Sequence, residues 1–222
     1  MGNMIKAIIF DMDGLLIDSE PVWFRARHEL LQTINMEWKW ENQKNTMGVS
    51  TNAWVEYIHK FVEGKLSEEE ILKGVTERVK QIYSSGEVKL MQGALQALKY
   101  ASDNFKVGLA SGSYKEILHS VVKVNNWGEY FDEILSSDDM ERGKPNPDIY
   151  LEVAKRLSVK PEECIVLEDS RDGIKAGVAA GAKIITVPSK DVTVPQEVLD
   201  SAFAILDSLN DFPQIVDELI YN

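Results

Sequence analysis

The sequence predicts an α/β fold, a doubly wound parallel sheet with a helical segment inserted after its first strand. Three observations predict it. Short apolar, β-branched runs recur along the chain without the polar alternation of a half-exposed strand, which marks strands buried on both faces. From about residue 88 onward these runs alternate with helical patterns. Residues 18–87 carry helical patterns and no convincing buried strand. The 222 residues suffice for a core with a smaller unit inserted in it. The expected division is a core of 1–17 and 88–222 and a helical insertion of 18–87.

The first strand is Ile5-Lys6-Ala7-Ile8-Ile9-Phe10. In the insertion, Ser67 and Glu70 form a capping-box pattern ahead of Ile71, Leu72 and Val75. Four of the five tryptophans (Trp23, Trp38, Trp40 and Trp54) fall there, as a small apolar core or as the wall of a pocket. The next strand is Lys106-Val107-Gly108-Leu109-Ala110. Ser113 and Glu116 repeat the capping-box pattern before Ile117, Leu118, Val121 and Val122. Glu133-Ile134-Leu135 is a shorter strand, and Pro147 opens a helix carrying Ile149, Tyr150, Val153, Ala154 and Leu157. Cys164-Ile165-Val166-Leu167 and Lys183-Ile184-Ile185-Thr186-Val187 follow, with Phe203-Ala204-Ile205-Leu206 as a last edge strand. Between them Gly173, Gly177 and Gly181, four residues apart, suggest a helix packed closely on the sheet.

Composition narrows the function classes. The net charge of −12 disfavours nucleic acid and anionic membranes as partners. An anion can still bind through a local site of metal, lysine and backbone N–H groups. The single cysteine, Cys164, excludes an internal disulfide and reads as a small buried strand residue. His28, His59 and His119 lie far apart, against a structural zinc site. No run approaches the ~20 apolar residues of a membrane span. The N-terminus lacks a signal-peptide pattern, and Met-Gly is followed by Lys6 where myristoylation needs Ser or Thr. The expectation is a cytoplasmic monomer.

The chemistry gathers after the strands. The first ends in Asp11-Met12-Asp13-Gly14, the second in Ser111-Gly112-Ser113, a later loop in Gly143-Lys144-Pro145, and another strand in Glu168-Asp169-Ser170. Ligands of open parallel sheets bind at these carboxyl ends. Asp11 and Asp169, with Glu168 beside them, offer hard oxygen ligands suited to Mg2+. Magnesium completes its shell with water and substrate phosphate, so the acids imply a phosphorylated partner. Ser111, Lys144 and the N–H groups around Gly112 and Ser113 can hold that phosphate. One aspartate can attack phosphorus while the other, two residues on and facing the opposite way, moves the proton. Gly143-Lys144 is not a P-loop, Ser111 is not a nucleophile elbow, and there is no dinucleotide fingerprint.

"FDMDGLLIDSE", "GLASGS", "GKPNPDIY" and "LEDSRDGIKAG" resemble the four ordered motifs of the haloacid dehalogenase superfamily, in the branch of β-phosphoglucomutase and small sugar-phosphate phosphatases. The resemblance covers nearly the whole chain. It implies a Rossmann-like core with a helical cap, Asp11 as nucleophile and Asp13 as general acid and base. It also implies Mg2+ on the Asp11 and Asp169 side chains and the Asp13 carbonyl, with Glu168 nearby, and phosphate on Ser111 and Lys144. The chain departs from the mutase pattern, which has an arginine in the cap loop where Met47–Asn52 stand here, and a histidine where Trp23 stands. These differences point to a phosphatase acting on a substrate with one phosphate, unless Arg25 or Lys44 replaces the missing charge. A sugar-phosphate mutase is the alternative. A non-catalytic binding protein on the same fold would be expected to lack Asp11 or Asp13, and both are present.

Overall fold

The computed structural model describes residues 4–49, 51–189 and 193–221; Met1, Gly2 and Ser50 of the loop Met47–Asn52 lie outside them. Six strands form one sheet: β1 (Ala7–Phe10), β2 (Lys106–Ser111), β3 (Glu133–Ser136), β4 (Cys164–Glu168), β5 (Lys183–Thr186) and β6 (Ala204–Ile205). Their order is β3-β2-β1-β4-β5-β6, and every neighbouring pair is parallel. The chain starts in the middle of the sheet and builds outward to either side. That reversal of direction opens a crevice at the carboxyl ends of β1 and β4. Phe10 is level with Leu109 of β2 and Leu167 of β4. Asp11 therefore emerges beside the ends of both neighbours.

Alternation along β1 sends Ile8 and Phe10 to one apolar cluster and Ala7 and Ile9 to another. The first cluster is covered by α5 (Ala94–Asn104), α6 (Lys115–Val124) and α10 (Phe212–Tyr221). The second is covered by α7 (Asp148–Arg156), α8 (Arg171–Ala180) and α9 (Gln196–Leu199). Burial on both faces explains why these strands read as unbroken apolar runs.

Between β1 and α5 lie α1 (Glu20–Gln32), α2 (Trp40–Lys44), α3 (Thr51–Phe61) and α4 (Glu68–Ser84). Val22, Ala26 and Leu30 repeat every four residues on α1 and are buried. Ile71, Val75, Val79 and Ile82 do the same for α4. The helical segment leans on the core through α4, where Lys80 pairs with Glu116 and the Ser84 and Ser120 hydroxyls meet at 3.1 Å. Its two connections run side by side: Asp18 N–H donates to Lys89 O at 2.8 Å and Met91 N–H to Leu16 O at 2.9 Å. Among the described residues no helix is long and apolar enough to cross a membrane.

Ser67 caps α4 and completes the capping box with Glu70. The matching pattern at Ser113 does not form: α6 starts at Lys115, Tyr114 stands at its N-cap, and Glu116 is drawn to Lys80. Pro147 is the residue just before α7. Of the three spaced glycines, Gly177 faces Ile184 and Val166 of the sheet, as packing requires, and Gly173 faces Glu168. Gly181 instead ends α8 in a left-handed turn, with φ 87°.

Candidate active site

Lys144 organises the crevice. Its Nζ donates to Asp11 Oδ1 at 2.5 Å, to Glu168 Oε1 at 2.6 Å and to Ala110 O at 3.1 Å. Glu168 is fully buried. Its Oε1 also accepts from Tyr150 OH at 2.6 Å. Its Oε2 accepts from the N–H groups of Asp169 and Ser170 and from Ser170 Oγ. With roughly four lone-pair directions and five donors, Glu168 is saturated and rigid.

Asp13, two residues beyond Asp11, turns toward the end of β2. Ser113 Oγ donates to Asp13 Oδ2 at 2.7 Å and Ser111 Oγ to the same oxygen at 3.3 Å. Ser113 thus holds Asp13 rather than capping a helix. Ser111 Oγ in turn accepts from Ser113 N–H at 3.0 Å. The other oxygen, Asp13 Oδ1, is buried without a hydrogen-bond partner. Gly14 is required next: its φ is +79°, and a Cβ there would lie 2.1 Å from Asp169 Oδ2. Gly112 lines the same cavity with open space where a side chain would stand.

Three buried carboxylates, from Asp11, Glu168 and Asp169, bring oxygens within 4.8 Å of one another. Burial pushes Asp11 up to about 8; Lys144 opposes this, while the charges of Glu168 and Asp13 add to it. Burial likewise raises Asp169 well above the usual carboxylate range, reinforced by Glu168 and Asp11. Burial also acts to raise Glu168, but Lys144 and the hydrogen bonds outweigh it and bring that carboxyl down. Lys144 is held protonated well above its usual range, because Asp11 and Glu168 overcome its burial. One lysine does not neutralise three acids. Hard, converging oxygens with raised affinity for a proton suit a small divalent cation such as Mg2+.

The site opens into a cavity of about 650 Å³ whose far wall comes from the helical segment. Trp38 is buried and donates to Gln43 Oε1 at 3.0 Å, and Trp40 packs on Phe24. Trp23 and Trp54 line the cavity. The tryptophans thus divide between the two roles the sequence allows. Neither Arg25 nor Lys44 supplies a charge here: Arg25 is tied to Glu29 and Glu87 outside, and Lys44 is exposed. The cation on this wall is Arg27. Sequence reasoning missed it, and also missed Tyr150 and Ser170 as partners of Glu168. Arg27 follows Trp23 by four positions, the one sequence signal that both share a helix face. Cys164 is buried, and burial pushes its thiol up to about 12, so it is inert.

Carboxylates, a lysine and a cavity gathered at the crevice of a parallel sheet mark an α/β protein with an enzyme-like site. The chain belongs to the haloacid dehalogenase-like hydrolase family, whose model matches residues 8–187. It is 33% identical over 183 residues to the phosphorylated carbohydrates phosphatase of Thermotoga maritima, covering 82% of this chain and 84% of that one. It is 32% identical over 209 residues to hexitol phosphatase B of Escherichia coli, covering 92% and 91%. The crystal structure of β-phosphoglucomutase from Clostridium difficile superposes with a TM-score of 0.78 at 26% identity, over 99% of this chain and 100% of that one.

Proposed function

We propose that the protein is a Mg2+-dependent phosphatase of a small phosphorylated carbohydrate, working through an aspartyl-phosphate on Asp11. The observation that carries the reading is the Lys144 bridge between Asp11 and Glu168 beside Asp169, with Asp13 Oδ1 unpaired in the same crevice. The relatives named as phosphatases of phosphorylated carbohydrates and hexitols support it.

In this reading Asp11 and Asp169 would hold the Mg2+, with the Asp13 carbonyl and Glu168 available beside them. The metal supplies positive charge against the phosphate oxygens. Lys144 and Ser111 hold and orient the phosphate, and Gly112 leaves room for it. An Asp11 oxygen attacks phosphorus, forming one P–O bond as the bond to the leaving oxygen breaks. Asp13 gives that oxygen its proton from Oδ1, the oxygen without a partner, while Ser113 fixes the other. Asp13, now a carboxylate, takes a proton from water. The water oxygen displaces Asp11 from phosphorus, and inorganic phosphate leaves. Residues 18–87 act as a cap that excludes water from the first step.

The test is inorganic phosphate release from hexose, pentose and hexitol monophosphates, with Mg2+ and with EDTA. Metal-dependent release that Asp11→Asn abolishes is expected. Isomer formation on adding a sugar bisphosphate, without net phosphate release, would replace this reading with the mutase.

A further inference from the structure

We propose that Arg27 is a specificity residue of this site: it takes an oxyanion, a carboxylate or a second phosphate, at the end of the substrate remote from the transferred phosphate. The inference rests on the phosphatase reading and deepens it.

Arg27 is only 3% exposed. Its guanidinium sits 5.3 Å from the ring centre of Trp23 and 5.2 Å from that of Trp54. The two rings, on α1 and α3, have their centres 6.2 Å apart and are tilted by 57°, so they meet the guanidinium on neighbouring sides rather than enclosing it. Arg27 lines the same cavity as Asp11, Asp13 and Lys144, but from the helical wall. Its Nε is buried and makes no hydrogen bond. The acidic charge that acts on it is Glu20, whose carboxylate already accepts from Gln43 Nε2 at 2.6 Å. Burial lowers the guanidinium to about 10, so it stays charged at neutral pH.

Aromatic rings attract a cation but give its in-plane N–H groups no oxygen acceptor. The fork of a guanidinium matches the two oxygens of a carboxylate or phosphate. Bridging Trp23 and Trp54 would explain the ring contacts, yet not a buried Nε without a partner on a residue that lines the cavity. Recognition of neutral hydroxyls is within reach of Thr46, Thr51 and Asn52 on the same wall and needs no buried charge. A desolvated cation facing the cavity is worth its cost when an anion completes it.

The experiment compares a hexitol 6-phosphate with the matching aldonate 6-phosphate and hexose 1,6-bisphosphate, using the wild type, Arg27→Lys and Arg27→Met. Arg27→Met is expected to lose roughly ten- to a hundredfold more kcat/KM on the oxyanion-bearing substrates than on the hexitol phosphate, chiefly through KM. Arg27→Lys should recover part of that loss. The aldonate and the bisphosphate, compared with each other, tell a carboxylate from a second phosphate. Equal losses on all substrates, or none, would overturn the proposal. Calorimetric binding of the same ligands to Asp11→Asn protein, with and without Arg27→Met, reads Arg27 without turnover. Selective loss of affinity for the oxyanion-bearing ligands supports the proposal even if the phosphatase reading fails. Equal affinity across the set refutes it.

Discussion

Replacing Gly173 with alanine adds one methyl group to α8 and should unsettle the active site from behind. An alanine inside a helix ordinarily gains about 1 kcal/mol over glycine. Here the new Cβ would lie 1.8 Å from Glu168 Oε1, 1.9 Å from its Cδ and 2.2 Å from its Oε2. Those atoms cannot swing aside freely, because Lys144, Tyr150 and the Asp169–Ser170 backbone hold them. Overpacking costs about 1–3 kcal/mol, and each lost hydrogen bond to a charged group about 1.5–3 kcal/mol. The clash outweighs the helix gain, for a net loss of about 2–4 kcal/mol. Urea unfolding of Gly173→Ala against wild type measures it. Gly128→Ala, with no atom within 4 Å of the added Cβ, is the control and should stay within about 0.5 kcal/mol. Because Glu168 steadies Lys144, kcat should fall with stability. A Gly173→Ala protein stabilised by the ordinary helix increment would refute the reasoning.

Ser113→Ala removes the 2.7 Å donor to Asp13 and should slow kcat by roughly tenfold or more while changing KM little; steady-state kinetics decide it, and an unchanged kcat would show that Asp13 does not need Ser113. Metal-free protein should lose stability as pH rises from about 4 to 8. Over that window the folded state holds protons on Asp11 and Asp169 that the unfolded chain has released. Saturating Mg2+ should flatten the slope, and identical thermal-unfolding profiles with and without Mg2+ would contradict the carboxylate cluster as its site.

The parts of this molecule visible in the sequence are those whose cause is local. The central strands β1, β2 and β4 stand out because burial on both faces strips them of polar residues, and Ser67 with Glu70 caps a helix because both partners lie within one turn. The order of the strands has no local signature. Ser113 carries the letters of a capping box, yet Asp13, a hundred positions away, claims its hydroxyl. Gly181 matches the spacing of Gly173 and Gly177 but serves a turn. The acids, Ser111 and Lys144 were legible as a candidate site because each ends a strand, follows one or lies in a loop beyond one. Arg27 and Tyr150 were not, because each sits inside a helix where a charged or aromatic residue usually means surface or core.

The central position of β1 has a consequence for how the protein is made. Its strand and Asp11 leave the ribosome well before β2, which begins at Lys106, and β4, which begins at Cys164. Until β4 has been synthesised, Asp11 has no Glu168 or Asp169 beside it, and one edge of β1 stays open. A nascent or prematurely terminated chain ending before β4 therefore carries the motif but cannot assemble the site. Activity, once it appears, certifies that translation has passed Asp169.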